Sequence, residues 1–185
     1  MNRLLREKQL PKIFFLGCMF LAYLYSTPYL SIYLFKSEIE RKEINRAEKY
    51  VNLTSVRKSV KPQVTSFVKD KVKKESYYKE VSPISLSILD SIIEVSINSI
   101  IDSIVTIKGL KLLIDNGYLI ELKSDYEKDS KDIKADIKLY YQSINTFILS
   151  SQIAGHVNPT KTIWKREKLF HWRLSFVELS SDYFN

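Results

Sequence analysis

IFFLGCMFLAYLYSTPYLSIYLF, residues 13–35, carries no charged side chain. At about 1.5 Å of rise per residue, a helix of that length can cross a hydrocarbon core of roughly 30 Å. Arg3, Arg6, Lys8 and Lys12 precede it, opposed only by Glu7, whereas beyond it Lys36, Arg41 and Lys42 face Glu38, Glu40 and Glu43. Positive charge gathered before a span holds that end in the cytoplasm. The pattern predicts a cytoplasmic amino end (1–12), a membrane helix over 13–27 that reaches 35 if the helix continues, and one extracytoplasmic domain over 28–185, periplasmic or lumenal.

Two features compete with this reading. Ile13 to Leu24 is short enough to be the core of a cleaved secretory signal, but the candidate cuts near Ser26 and Thr27 place Leu24 or Tyr25 where a small residue is needed. Leu16-Gly17-Cys18 hints at a lipoprotein, yet the apolar run continues well past Cys18, which reads more simply as an apolar residue. Thr27-Pro28 has the form of a helix start, a hydroxyl cap followed by proline at the first helical position. On that basis the membrane helix ends near Ser26 and a second helix opens the domain. Tyr23, Tyr25 and Tyr29 suit the headgroup level.

The rest is enough for one domain with its own core and too little for two. A single cysteine, Cys18, excludes an internal disulfide and a cysteine metal site. Of the net charge of +8, the first twelve residues hold +3, leaving +5 for the domain. That is compatible with an anionic membrane surface or a loose nucleic-acid contact.

Helices come first. Residues 28–50 are patterned for a helix with Leu30, Tyr33, Leu34, Ile44 and Ala47 inward. Asn52 caps the next, with Val56, Val60, Val64 and Phe67 along one face; Pro62 predicts a kink or a division. Lys69, Lys71, Lys73 and Lys74 form its solvated end. Ser82-Pro83 opens an isoleucine-rich helix in which Leu86, Leu89, Ile93, Ile97, Ile100, Ile101, Ile104 and Val105 make the stripe, broadened by Ile88 and Ile92. Asp90, Glu94, Asn98 and Asp102 line its other face. Such a row can hold a metal or share a proton, but without histidines it reads first as a solvated face. Gly109 allows a break before a short helix, Leu110 to Asp115, which Asn116-Gly117 ends.

Residues 123–138 are a charged insertion with mixed signs. Ser143 to Ile153, Lys161 to Glu167 and His171 to Leu179 each fit a strand. Gly155 to Pro159 and Lys168-Leu169-Phe170 are the turns between them. Trp172, Leu174 and Phe176 alternate with Arg173, Ser175 and Val177, which marks one buried face. The predicted fold class is α+β: an amino-terminal membrane helix, several helices, then a three-stranded antiparallel meander packed on the helices.

From Thr27 onward the chain resembles domain-of-unknown-function family 2939, small bacterial proteins with an amino-terminal membrane helix. Thr27-Pro28-Tyr29-Leu30-Ser31-Ile32-Tyr33 is similar to the stretch that opens its domain. Tyr50-Val51-Asn52-Leu53 with Val56-Arg57, Ile104 to Leu110, Asn145-Thr146-Phe147 and Arg166 to Leu174 are similar to its later motifs. Asn52, Ile107, Lys168 and Ser180 depart from the usual acid, proline, glycine and final proline, which bears on turns more than on the fold. The resemblance implies architecture and address and brings no reaction with it. It also implies that Arg57, Arg166 and Trp172 are structural, with Arg166 stacking or pairing across the sheet near Trp172.

Recognisable chemistry is sparse. His156 and His171 lack the partners of a zinc site; glycines occur only at 17, 109, 117 and 155, so there is no phosphate loop; no serine sits in a nucleophile elbow. Asn52-Leu53-Thr54 has the form of a glycosylation sequon and is explained by the helix cap. The reading is a membrane-anchored interaction or ligand-binding module, not an enzyme, with no cofactor. Its partners are the bilayer through 13–35 and a protein or small apolar ligand, at a surface including Phe147, Arg166 and Trp172; no nucleic acid is expected. The alternatives are an envelope enzyme, in which His171 or Asp102 converges with other polar groups, and a cytosol-facing basic domain on nucleic acid.

Overall fold

One helix, α1 (Asn2–Glu40), runs unbroken from the basic amino end into the domain. The computed structural model describes residues 2–74, 83–116, 135–153 and 157–184; residues 123–134 of the charged segment, Gly117, and Gly155 and His156 lie outside them. The helix start read at Thr27-Pro28 is corrected: both residues are buried in mid-helix. Pro28 has no N–H for the Leu24 carbonyl, and the Thr27 hydroxyl donates to that carbonyl instead, at 2.7 Å. The sequence signal for a cap is here the device that carries a helix through proline.

The buried face of α1 also differs from the one read. Ile32, Phe35 and Ile39 enter the core, while Leu30 and Tyr33 are exposed and Leu34 is half-buried. α1 ends in a Schellman motif, with Glu43 N–H on Glu38 C=O at 2.8 Å and Lys42 N–H on Ile39 C=O at 2.9 Å. Lys42 occupies the left-handed position, φ 63°.

A short α2 (Ile44–Ala47) and a 3₁₀ turn (Glu48–Tyr50) lead to α3 (Leu53–Lys74). Asn52 caps α3, its Oδ1 accepting from Ser55 N–H at 3.0 Å. Replacing Asn52 by alanine is expected to cost about 1 kcal/mol, read as a lower urea midpoint at unchanged slope. Val56, Val60 and Val64 are buried as read, and Phe67 is half-buried. Pro62 does not divide the helix; it lies on the exposed side, where the freed Lys58 carbonyl can meet water.

In α4 (Pro83–Ile104), Ile93, Ile97 and Ile101 are buried, followed just beyond the helix by Val105, and Ile92 is exposed. The break falls one turn before Gly109: Thr106 caps α5 (Ile107–Asn116), its hydroxyl accepting from Gly109 N–H at 3.0 Å. α4 packs on α3 and α5, while α3 and α1 both rest on the last strand.

The sheet is a four-stranded antiparallel meander, β1 (Ala135–Ser143), β2 (Thr146–Ile153), β3 (Thr160–Lys168) and β4 (His171–Glu178). The three-stranded expectation is corrected by β1. Residues 135–138, read as part of the charged insertion, begin that strand, and the stretch from Ser143 contains a turn at Ile144-Asn145. Tyr141, Phe147, Trp164 and Leu174 form one inward row across the four strands.

A bulge refines the alternation read in β4. Trp164 opposes Leu174 and Ile163 opposes Phe176, so Ser175 is the extra residue. The bulge switches the inward face from Leu174 to Val177 and leaves Phe176 on the outer side, 39% exposed.

β4 is an edge strand, and α3 supplies its missing neighbour. The Gln63 amide donates to the Val177 carbonyl at 2.8 Å and accepts from Leu179 N–H at 2.8 Å. Ser59 Oγ accepts from Val177 N–H at 3.0 Å and donates to the Val56 carbonyl. Nearer the amino end of β4, Asn52 N–H donates to the Leu174 carbonyl at 2.8 Å. The edge is covered by side chains instead of being left open to another chain.

Candidate functional site

The densest cluster of aromatic and polar contacts lies where α1 meets the sheet. Trp172 projects from β4 into the interior and its Nε1–H donates to Thr27 Oγ1 at 2.8 Å. Since the Thr27 hydroxyl donates onward to Leu24, three groups stand in series: indole, hydroxyl and the carbonyl that proline leaves unpaired. Alongside, the Tyr141 hydroxyl donates to the Tyr25 carbonyl at 2.8 Å. Burial raises the Tyr141 phenol above its ordinary pKa, while the Arg166 guanidinium pulls it back.

The rings pack on one another. Tyr29 and Phe147 meet edge-on at 4.7 Å between centroids, Tyr141 and Phe147 at 5.0 Å, and Tyr141 and Trp172 at 5.8 Å. Tyr25 stacks on Tyr141 at 4.9 Å. Such edge-on pairs add about 0.5–1.5 kcal/mol each beyond their buried area.

Among the three residues singled out for a ligand or partner surface, Phe147 and Trp172 are fully buried. Arg166 is half-buried, with its guanidinium carbon 4.6 Å from the centre of the Trp172 ring and Nη1 donating to the Leu169 carbonyl. The structure thus brings all three together, as a cation stacked on an aromatic wall. Their ring faces meet other side chains, and neither described groove is lined by them.

In the acidic row on α4, Glu94, Asn98 and Asp102 are exposed, as read for a solvated face. Asp102 pairs with Arg57 of α3, and Glu94 lies 4.0 Å from Lys61. A groove of about 270 Å³ runs beside that second pair, between Lys61, Thr65 and Lys69 on α3 and Ser91, Ile93, Glu94 and Ile97 on α4. His171 is occupied elsewhere, its Nε2 2.9 Å from the Lys49 carbonyl and its ring tilted against Tyr50 at 5.6 Å. His171 and Asp102 therefore each have their own partner on a different element. Among the described residues no three of His, Cys, Asp and Glu gather closely enough to hold an ion.

On the sheet face away from Trp164, Tyr140, Ile148, Ile163 and Phe176 form a transverse row in which Tyr140 and Phe176 are exposed, Ile163 is half-buried and Ile148 is buried. At the sheet end nearest the amino-terminal half of α1, the β3–β4 turn touches the helix: Phe170 lies 6.2 Å from Phe20 and 5.5 Å from Tyr23 between ring centroids. Before that contact, Ile13, Phe14, Phe15, Leu16 and Met19 are exposed, as is Cys18. Over Lys12–Glu40 this helix is long and apolar enough to cross a membrane.

Sequence reading missed Gln63 and Ser59. Their signal was a polar side chain beside Val60 and Val64 on the apolar face of α3, a place where polar groups need a partner.

No curated protein and no solved structure matches the chain. Residues 18–113, just over half of it, match the family described as protein of unknown function, DUF2939. The matched segment holds the lower part of α1 with Thr27-Pro28, the capped α3, and α4 with most of α5, while the similar motifs around Asn145 and Arg166 lie beyond it. With that match over helices that the structure joins to the sheet, the chain belongs to the DUF2939 family.

Proposed function

We propose that this protein is a single-pass membrane protein whose domain, held outside the cytosol, is a non-catalytic interaction module. One observation carries the reading: α1 is apolar and exposed from Ile13 to Leu21 and built into the core from Thr27 onward. A helix with an apolar surface on every side needs either a protein core or lipid, and among the described residues no core surrounds this segment. The basic residues ahead of Ile13 favour a cytoplasmic amino end. The filled aromatic interior favours a protein partner over a small apolar ligand, and the surface offered to it includes the exposed Phe176 with the half-buried Ile163 beside it.

Fusing a reporter active only outside the cytosol after Asn185, with an alkaline wash of the membranes, tests the anchor. An active fusion that survives the wash is expected; a released fusion means a cleaved signal, and an inactive one reverses the topology. For the module, a photocrosslinker at Ile163 or Phe176 is expected to trap a defined protein adduct that one at Lys58 does not. Equal labelling from all three positions counts against that face.

A further inference from the structure

The two hairpin turns on one end of the sheet expose large apolar side chains. Antiparallel order places the β1–β2 and β3–β4 turns together, and Arg166 N–H donates to the Asn145 carbonyl between them. The first turn, which has the ordinary turn residue Asn145, also presents Ile144, 78% exposed, and the second presents Leu169-Phe170, 53% and 45% exposed. Lys165 and Lys168 flank the second turn and are exposed, whereas the neighbouring acid Glu167 pairs with Arg173 at 3.1 Å.

Helix length brings lipid to the same place. From Lys12 to Thr27, the first buried residue after Lys12, the helix rises only about 22 Å, against a hydrocarbon thickness of roughly 30 Å. Snorkelling of Lys12 and local thinning relieve a few ångströms. A domain standing clear of the surface would leave the span too short. Moreover, Phe170 touches α1 at Phe20 and Tyr23, only about 12–17 Å along the helix from Lys12.

We propose that Ile144 and Leu169-Phe170 insert into the leaflet on the domain's side, beside α1, and make the lipid surface a second attachment of the domain. The proposal rests on the membrane-anchored reading. The apolar tips continue the exposed apolar surface of the helix without interruption at Phe170. Lys165 and Lys168 flank the second turn, where their long stems can carry the ammonium groups toward the lipid phosphates.

The test uses the full chain in phosphatidylcholine–phosphatidylglycerol vesicles. A nitroxide is placed at Ile144→Cys or Leu169→Cys in a Cys18→Ser background. Val157→Cys, exposed near the β2–β3 connection at the other end of the sheet, is the aqueous reference, and wild-type Cys18 labels the bilayer. Power saturation compares collisions with oxygen, which enters lipid, and with a water-soluble nickel chelate. Ile144 and Leu169 are expected to show an oxygen-to-nickel ratio several-fold above that of Val157. Ratios equal to Val157, with Cys18 shielded from nickel, would overturn the insertion while leaving the anchor intact. A nickel-accessible Cys18 would remove the anchor and the insertion together.

Discussion

Trp172→Ala is expected to be the most damaging single change in the domain. Deleting a fully buried tryptophan typically costs about 3–5 kcal/mol through lost burial and an unfilled cavity. Here the loss extends further. Without the indole N–H, the Thr27 hydroxyl loses its donor, Arg166 loses the ring it lies on, and Tyr141 and Phe147 lose a common neighbour. Against a total stability of about 5–15 kcal/mol for a domain of ordinary size, that is a large share. Chemical unfolding of the detergent-solubilised protein would measure it. Trp172→Phe keeps a six-membered ring but removes the bond to Thr27 together with part of the buried volume, and is expected to cost less than alanine; an equal loss would mean that the retained ring contributes nothing.

Gln63→Leu is expected to cost about 2–3 kcal/mol despite being close in size and more apolar, because it leaves the Leu179 N–H and Val177 carbonyl without their side-chain partner at the covered edge. Hydrogen exchange would localise the change. Protection at Leu179 should fall well before protection at Phe147 in the central strand, since a lost edge contact opens the edge first. Uniform loss across the sheet would mean that Gln63 holds the fold together globally instead of closing its border. Gln63→Glu keeps an acceptor for Leu179 N–H but loses the donor to Val177, and is expected to fall between wild type and leucine.

Both predictions concern contacts between elements distant in sequence, and these were the least legible part of the chain. Periodicity found the valines of α3, the isoleucines of α4, the cap at Asn52 and the last two strands, because each is a local pattern imposed by a helix or strand face. It missed β1, an edge strand exposed on both faces from Asp136 to Tyr140, whose turn at Ile144-Asn145 has neither glycine nor proline. It also missed the bulge at Ser175, where the local alternation continues but the partner strand has one residue fewer. Thr27-Pro28 carried a true signal with a different meaning. A hydroxyl before proline can cap a new helix or mend an old one, and a tryptophan 145 positions away accompanies the second outcome.

The candidate site was legible to a similar depth. Phe147, Arg166 and Trp172 do come together, since aromatic and cationic residues on adjoining strands share a face. Sequence alone gave no sign that their surfaces would be occupied by Tyr29 and Tyr141.

The unbroken course of α1 has a directional consequence. With no joint between its exposed apolar turns and the turns locked beneath Trp172, the helix and the domain form one shaft. Each residue added to or removed from the stretch before Thr27 would turn the domain by about 100° relative to the earlier turns, while shifting it by about 1.5 Å. Anything that grips one side of the Ile13–Leu21 segment therefore also fixes the compass bearing of the sheet, and with it the face turned outward.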